Sequence, residues 1–130
     1  MTEAEFKERT KNIGLRVIRV VEALPRNRAA DVIGRQVLRS GTAIGANYRA
    51  ACRAQSTRDM LAKLADVEEE TDETLYWLEM LVAARIMPAT KLAALSADVE
   101  AVLKMVIASI KTLRRSVLKS KIRNPKSKTE

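Results

Sequence analysis

The chain has 130 residues, one domain's worth, with 47% apolar and 31% charged residues and a net charge of +8, which supplies both a core and a solvated surface. Aromatics are 3%, and 4 Gly with 3 Pro leave little for the turns of an all-β fold, so the core must be aliphatic. Histidine is absent and Cys52 is the one cysteine, which excludes the commonest general base, the commonest transition-metal ligand and any intrachain disulfide. No stretch approaches the roughly 18 apolar residues of a membrane span, and the polar run Met1 to Lys11 does not suit a signal peptide. A cytoplasmic protein without membrane, metal or cofactor is expected.

The first amphipathic segment runs from Ala4 to Leu24, with Phe6, Thr10, Ile13, Val17, Val20 and Leu24 at helical spacing before Pro25. The second runs from Asn27 to Gln55 on a stripe of Ile33, Val37, Gly41, Ile44, Tyr48 and Ala51. Two of its glycines, Gly41 and Gly45, each cost about 1 kcal/mol relative to alanine inside a helix. Small residues four apart let a neighbouring backbone come close, a packing reading favoured here over a ligand cradle. Asn47, next to them, is expected to hydrogen-bond a neighbouring helix or subunit.

The third segment opens at Ser56-Thr57-Arg58-Asp59, a sequence suited to capping a helix, and carries Met60, Leu64, Val67, Thr71, Leu75, Leu78 and Val82. Pro88 marks the next break. The fourth runs from Ala89 to Lys119, with Leu92, Leu95, Val99, Val102, Val106, Ile110, Leu113 and Val117 in unbroken 3-4 alternation. Short connections make sequential helices antiparallel neighbours. The spacing therefore predicts an all-α, antiparallel up-down-up-down four-helix bundle over residues 1–119. A basic, disordered tail is expected over 120–130, since Asn124-Pro125 stops a helix.

Charge is unevenly distributed. Residues 1–56 hold 11 basic and 5 acidic groups, residues 57–100 hold 4 and 10, and residues 111–130 hold 8 and 1. In the second segment Arg35, Arg39, Arg49 and Arg53 share one edge, and in the third Asp66, Glu69 and Glu73 form an acidic one. Antiparallel alignment about a turn near Ser56 sets Arg39 level with Glu73, so ion pairing along this seam is favoured over an exposed phosphate-binding edge. The cluster Glu69, Glu70, Asp72 and Glu73 suggests a carboxylate metal site, but bundle sites of that kind use Glu-x-x-His motifs. Tyr76-Trp77 reads as a structural anchor, with Trp77 at the interface, and Cys52 as a small buried hydrophobe. The cations Lys111, Arg114, Arg115, Lys119, Lys121, Arg123, Lys126 and Lys128 exceed what helix-dipole compensation needs. They are the candidate nucleic-acid contacts.

The run Gln36-Val37-Leu38-Arg39-Ser40-Gly41-Thr42-Ala43-Ile44-Gly45-Ala46-Asn47, then Lys63-Leu64, then Glu68 through Glu79, resembles the bacterial four helix bundle protein family, also called the ribosomal-RNA intervening-sequence protein family. The likeness covers about residues 6–118. Many members carry Ile-Ala-Glu-Gly after the asparagine, where this chain has Tyr48-Arg49-Ala50-Ala51. The resemblance implies a bundle, assembly as homopentamers and no enzymatic activity. A remote relative, the accessory protein of diversity-generating retroelements, is a basic pentamer that binds nucleic acid and a reverse transcriptase.

Two readings follow. The first is a non-enzymatic, oligomeric accessory protein that binds RNA or DNA through basic surface and tail. The second is an oligomeric adaptor whose partner is a protein, supported by the scarcity of aromatics for base stacking. Apolar residues off the main stripes, Leu15 and Ile18, then Leu103, Ile107 and Leu118, support a homo-oligomer in either case. The number five rests on the resemblance alone.

Overall fold

A computed structural model of the chain describes residues 1–123. They form four helices, α1 (Glu3–Glu22), α2 (Arg28–Cys52), α3 (Thr57–Ala83) and α4 (Ala89–Arg123), which take up 87% of the described residues with no strand among them. Each start has a local cause. Thr2, Asn27 and Ser56 are extended residues whose side chains accept the backbone N–H of Glu5, Ala30 and Asp59 at 3.1, 2.9 and 3.0 Å. α3 ends in a pair of backbone bonds, Ile86 N to Leu81 O and Arg85 N to Val82 O. That closure needs a left-handed residue, usually glycine; here Arg85 takes it at φ 59°. Ile86, just beyond, packs on the core.

Sequential helices pack as neighbours, diagonal backbones stay apart, and α1 meets α4 along a narrower seam than the other pairs. The core is aliphatic: Ile13, Val17, Val37, Ile44, Val67, Leu78, Leu81, Val99, Val102 and Val106 are almost wholly buried. Polar members of the stripes are satisfied locally. Buried Thr10 donates to Phe6 O at 3.1 Å, and buried Thr71 donates to Val67 O at 2.6 Å. Between α2 and α3 the buried hydroxyls of Ser40 and Thr74 share a 2.9 Å hydrogen bond.

The glycines serve the α1–α2 contact, as the close-packing reading anticipates. A Cβ on Gly41 would stand 2.7 Å from Val17 Cγ2, one on Gly45 3.4 Å from the Lys11 backbone nitrogen, and one on Gly14 3.6 Å from Thr42 Cα. Asn47 does not meet the helix part of its expectation: it is half-buried, and its side chain makes no hydrogen bond among the described residues. Two residues past Gly45 is about 200° around a helix, so Asn47 turns away from the α1 contact and water reaches its amide. Leu103 and Ile107 are half-buried rather than free, while Leu15, Ile18 and Leu118 stay exposed. Cys52 is half-buried, less enclosed than a core residue.

α4 is the longest helix, at 35 residues. Leu64 lines one cleft with Val106, and Leu78 lines another with Leu92. At that antiparallel register α3 runs out near Leu113, and Ser109 already lies beside Met1 and Thr2. Residues 114–123 therefore project past the bundle by about 15 Å at 1.5 Å per residue. α4 runs four residues past the helix end expected at about Lys119, since nothing between Lys119 and Arg123 breaks a helix. The disorder expected of 124–130 concerns residues outside the described ones.

The glycine geometry predicts opposite outcomes for two similar changes. Gly41→Ala forces a methyl onto fully buried, β-branched Val17, which has little rotamer freedom. Overpacking of about 1–3 kcal/mol outweighs the propensity gain, and the urea midpoint should fall. Gly14→Ala meets only ordinary contacts, so propensity should raise stability by up to about 1 kcal/mol, and the midpoint with it. Equal effects from the two changes would contradict this packing.

Candidate nucleic-acid interface

The C-terminal end of α4 gathers the cations that the sequence singles out. Lys111, Arg114, Arg115, Lys119, Lys121 and Arg123 are all exposed. Among the described residues none of the six forms an ion pair. Lys126 and Lys128 lie outside the described residues. Lys111, Arg115 and Lys119 recur at four-residue spacing along one edge, while Arg114 and Lys121, seven apart, mark another. These cations therefore cover about 200° of the helix circumference, with exposed Leu118 and Ile122 among them.

A second basic strip runs along the outer edge of α2, where Arg35, Arg39, Arg49 and Arg53 are all exposed. The expectation of ion pairing holds at one of them. Arg39 Nη1 donates to Glu70 at 3.1 Å, and its Nη2 donates to Glu73. Trp77 Nε1 also donates to Glu73 Oε1 at 3.2 Å. Arg39 beside it, then the indole N–H, hold the Glu73 carboxyl below its ordinary value of 4.5. Arg39 thus pairs with Glu73 as the alignment predicts, and Trp77 is an anchor at this seam.

Glu69 does not join it; it is exposed, and Glu70 takes the place expected for it. Glu70 and Glu73 are three apart and share a face, whereas Glu69 is about 100° further round the helix from Glu70. Among the described residues Arg35, Arg49 and Arg53 remain without an ion pair.

Sequence reading missed the corresponding clamp on the α1–α4 seam. Asp98 of α4 accepts from Arg16 and lies 3.5 Å from Arg9. Arg16, the nearer guanidinium, holds the Asp98 carboxyl below its ordinary 3.8. The usable signal was the seven-residue spacing of Arg9 and Arg16, which places both on one face of α1.

Between α1 and α2 lies an open groove of about 390 Å³. Its floor is Gly14, Gly45 and Ala46, its apolar wall Leu15 and Ile18, and its rim includes Lys7, Lys11 and Arg49. No cluster of three or more His, Cys, Asp or Glu suited to a metal occurs among the described residues. Burial pushes the Cys52 thiol pKa up, away from nucleophilic character. No helix among the described residues is long and apolar enough to cross a membrane.

Comparison with known proteins gives one family and a structural relative. A family model described as 23S rRNA-intervening sequence protein matches residues 2–108. The chain is similar to a crystal structure from Bacteroides thetaiotaomicron described as a protein with unknown function from the S23 ribosomal protein family. The identity is 32% and the TM-score 0.79, over 85% of this chain and 99% of that one. No curated protein matches significantly. The family match ends before Lys111, the first of the candidate nucleic-acid contacts.

Two predictions attach to the ion pairs. Arg39 is half exposed, so Arg39→Ala and Glu73→Ala should each cost under about 1 kcal/mol. The double change should cost less than the sum, and strict additivity in a double-mutant cycle would place the pair elsewhere. Glu73 and Asp98 both have lowered folded pKa values. Their contribution to stability is present above the ordinary carboxylate values and is lost as pH falls through the lowered ones. An E73Q/D98N variant should therefore lose less stability on acidification below about pH 4.5 than the parent does, read as urea midpoints against pH. Parallel curves would show that these carboxylates titrate alike in both states.

Proposed function

This chain belongs to the 23S rRNA-intervening sequence protein family, and from that premise we propose that it is a non-enzymatic, oligomeric accessory protein that associates with RNA. The observation that carries this reading is the C-terminal end of α4, residues 111–123, where six exposed cations have no ion pair among the described residues. Helix-dipole compensation accounts for one or two cations in the last turn. It does not account for Lys111, Arg114 and Arg115, which lie two to three turns further back. A bare cationic rod gains from phosphates chiefly by releasing their counterions, an affinity that needs no base contacts. The near absence of exposed aromatics fits this mode: among the described residues Tyr76 is the exposed aromatic, and it lies on α3 among carboxylates. Base stacking is therefore a minor part of the recognition, and sequence tolerance is expected.

The family name supports RNA as the nucleic acid, since it refers to sequences intervening in 23S rRNA. The cationic end itself lies beyond the matched span, so this affinity is attributed to this chain's own extension. In an oligomer several such ends would act at once, raising avidity through effective concentration without any new contact.

The test is binding of the full chain to a single-stranded RNA, followed by fluorescence anisotropy across a salt series. Affinity should fall steeply with salt. Replacing Arg114, Arg115, Lys119 and Lys121 with Gln should lower the log–log salt slope by about 3, at roughly 0.7 per phosphate contact on a single strand. Helix content should be unchanged, because these side chains touch nothing in the core. A variant that binds RNA as well as the parent removes the α4 end from the site. A parent that binds no RNA at low salt leaves the protein adaptor as the better reading.

A further inference from the structure

Two faces of the bundle carry opposite charge, and among the described residues most of that charge has no ion pair, Lys7 with Glu3 excepted. On the outer face of α3, Glu69, Asp72, Tyr76 and Glu79 follow at spacings of three, four and three, one continuous helical stripe. All four are exposed, Tyr76 by 52%. Among the described residues none of these carboxylates, nor neighbouring Asp66, forms an ion pair. The α1–α2 face is the complement. There the groove over Gly14, Gly45 and Ala46 has exposed Leu15 and Ile18 as its apolar wall. Lys7, Lys11 and Arg49 stand at its rim against one acid, Glu8. Among the described residues Lys11 and Arg49 have no ion pair, and Arg53 continues the basic edge one helical turn on.

We infer that the α1–α2 groove receives the outer face of α3 from a second copy of this chain. The inference rests on the oligomeric part of the reading above and names its surface. Three observations favour a second copy over an unrelated partner. Donor and acceptor faces are both present on one chain. Their charges are of opposite sign and similar number. Each has an apolar centre flanked by charge, the arrangement of an interface with an anchor and a polar rim.

Tyr76 is the anchor. Its ring lies over the groove floor, where Gly14 and Gly45 present no side chain, against Leu15 and Ile18. Asp72 and Glu79, about 10 Å apart along α3 at 1.5 Å per residue, reach Lys11 and Arg49 on either side. Because the two faces differ, the contact is heterologous: each copy offers its groove to one neighbour and its α3 to another. A contact of this kind closes into a ring when its rotation divides the circle and otherwise runs on as a filament. The cationic α4 end belongs to neither face, so assembly leaves it free.

Light scattering on the full chain and on two surface variants tests this. One variant, Glu69→Lys/Asp72→Lys/Glu79→Lys, loses the acidic face; the other, Lys11→Glu/Arg49→Glu, loses the basic rim. The parent should exceed its monomer mass of 14.5 kDa, and each variant alone should run as a monomer with unchanged far-UV helix signal. Mixed in equal amounts, the variants should assemble again, because the intact groove of one meets the intact α3 face of the other and the reversed charges of the remaining faces also attract. That recovery also certifies that both are folded. A monomeric parent overturns the oligomeric reading and this inference with it. An oligomeric parent whose mass survives both variants, or variants that stay monomeric when mixed, overturns the interface alone.

Discussion

The close approach of α1 and α2 is the constraint on which the rest of the bundle depends. It requires a position without a Cβ at Gly41, over which fully buried Val17 is seated, and it leaves a Cβ at Gly45 only 3.4 Å from the α1 backbone. With those backbones close, the aliphatic stripes of α1 and α2 face α3 and α4 at one depth, and a core with almost no aromatics can still fill. The same contact has an outer consequence. Where side chains are missing on the inside of the crossing, the outside retains a shallow groove with a glycine floor. It also turns the arginine edge of α2 outward, because positions 35, 39, 49 and 53 lie opposite the buried stripe.

Around that crossing, polar groups are placed by depth. In the core, hydroxyls satisfy one another or their own helix, as Ser40, Thr71 and Thr74 do, and no buried side-chain nitrogen or oxygen among the described residues lacks a partner. At the seams, two clamps of half-exposed charge tie neighbouring helices: Arg39 with Glu70 and Glu73 between α2 and α3, and Asp98 with Arg9 and Arg16 between α4 and α1. Pairs at this exposure contribute little to stability. Their geometric effect is to hold register between helices whose buried contacts are smooth aliphatic surfaces. The α1–α4 seam is the narrower one, and there the Asp98 clamp is the main polar link between the two helices.

Charge left over after those pairings is sorted by location. The outer face of α3 is acidic, the α1–α2 face is basic, and the end of α4 is basic and detached. Projection keeps these last cations away from the basic edge of α2, limiting the repulsion that a net charge of +8 imposes on a small bundle. It also leaves them accessible to a polyanion from all sides, as residues packed on the bundle would not be.

Periodicity alone determined the four helices, their antiparallel order and most of the core, because a 3-4 apolar stripe in a helix has one face to bury. Ser56 as a cap, Pro25 and Pro88 as breaks, and Arg39 level with Glu73 were also legible, since each follows from local spacing and a short turn. What the linear pattern could not decide was rotation and contact between elements. Whether Glu69 or Glu70 meets Arg39 depends on about 100° of helix rotation. That Asn47 turns from the glycine contact rather than into it depends on the same angle. The Asp98 clamp joins residues more than eighty positions apart, and no spacing rule connects α1 to α4. The extension of α4 beyond its partners was visible only once the register of α3 against α4 was known, because a helix projects relative to its neighbours and not relative to its own sequence.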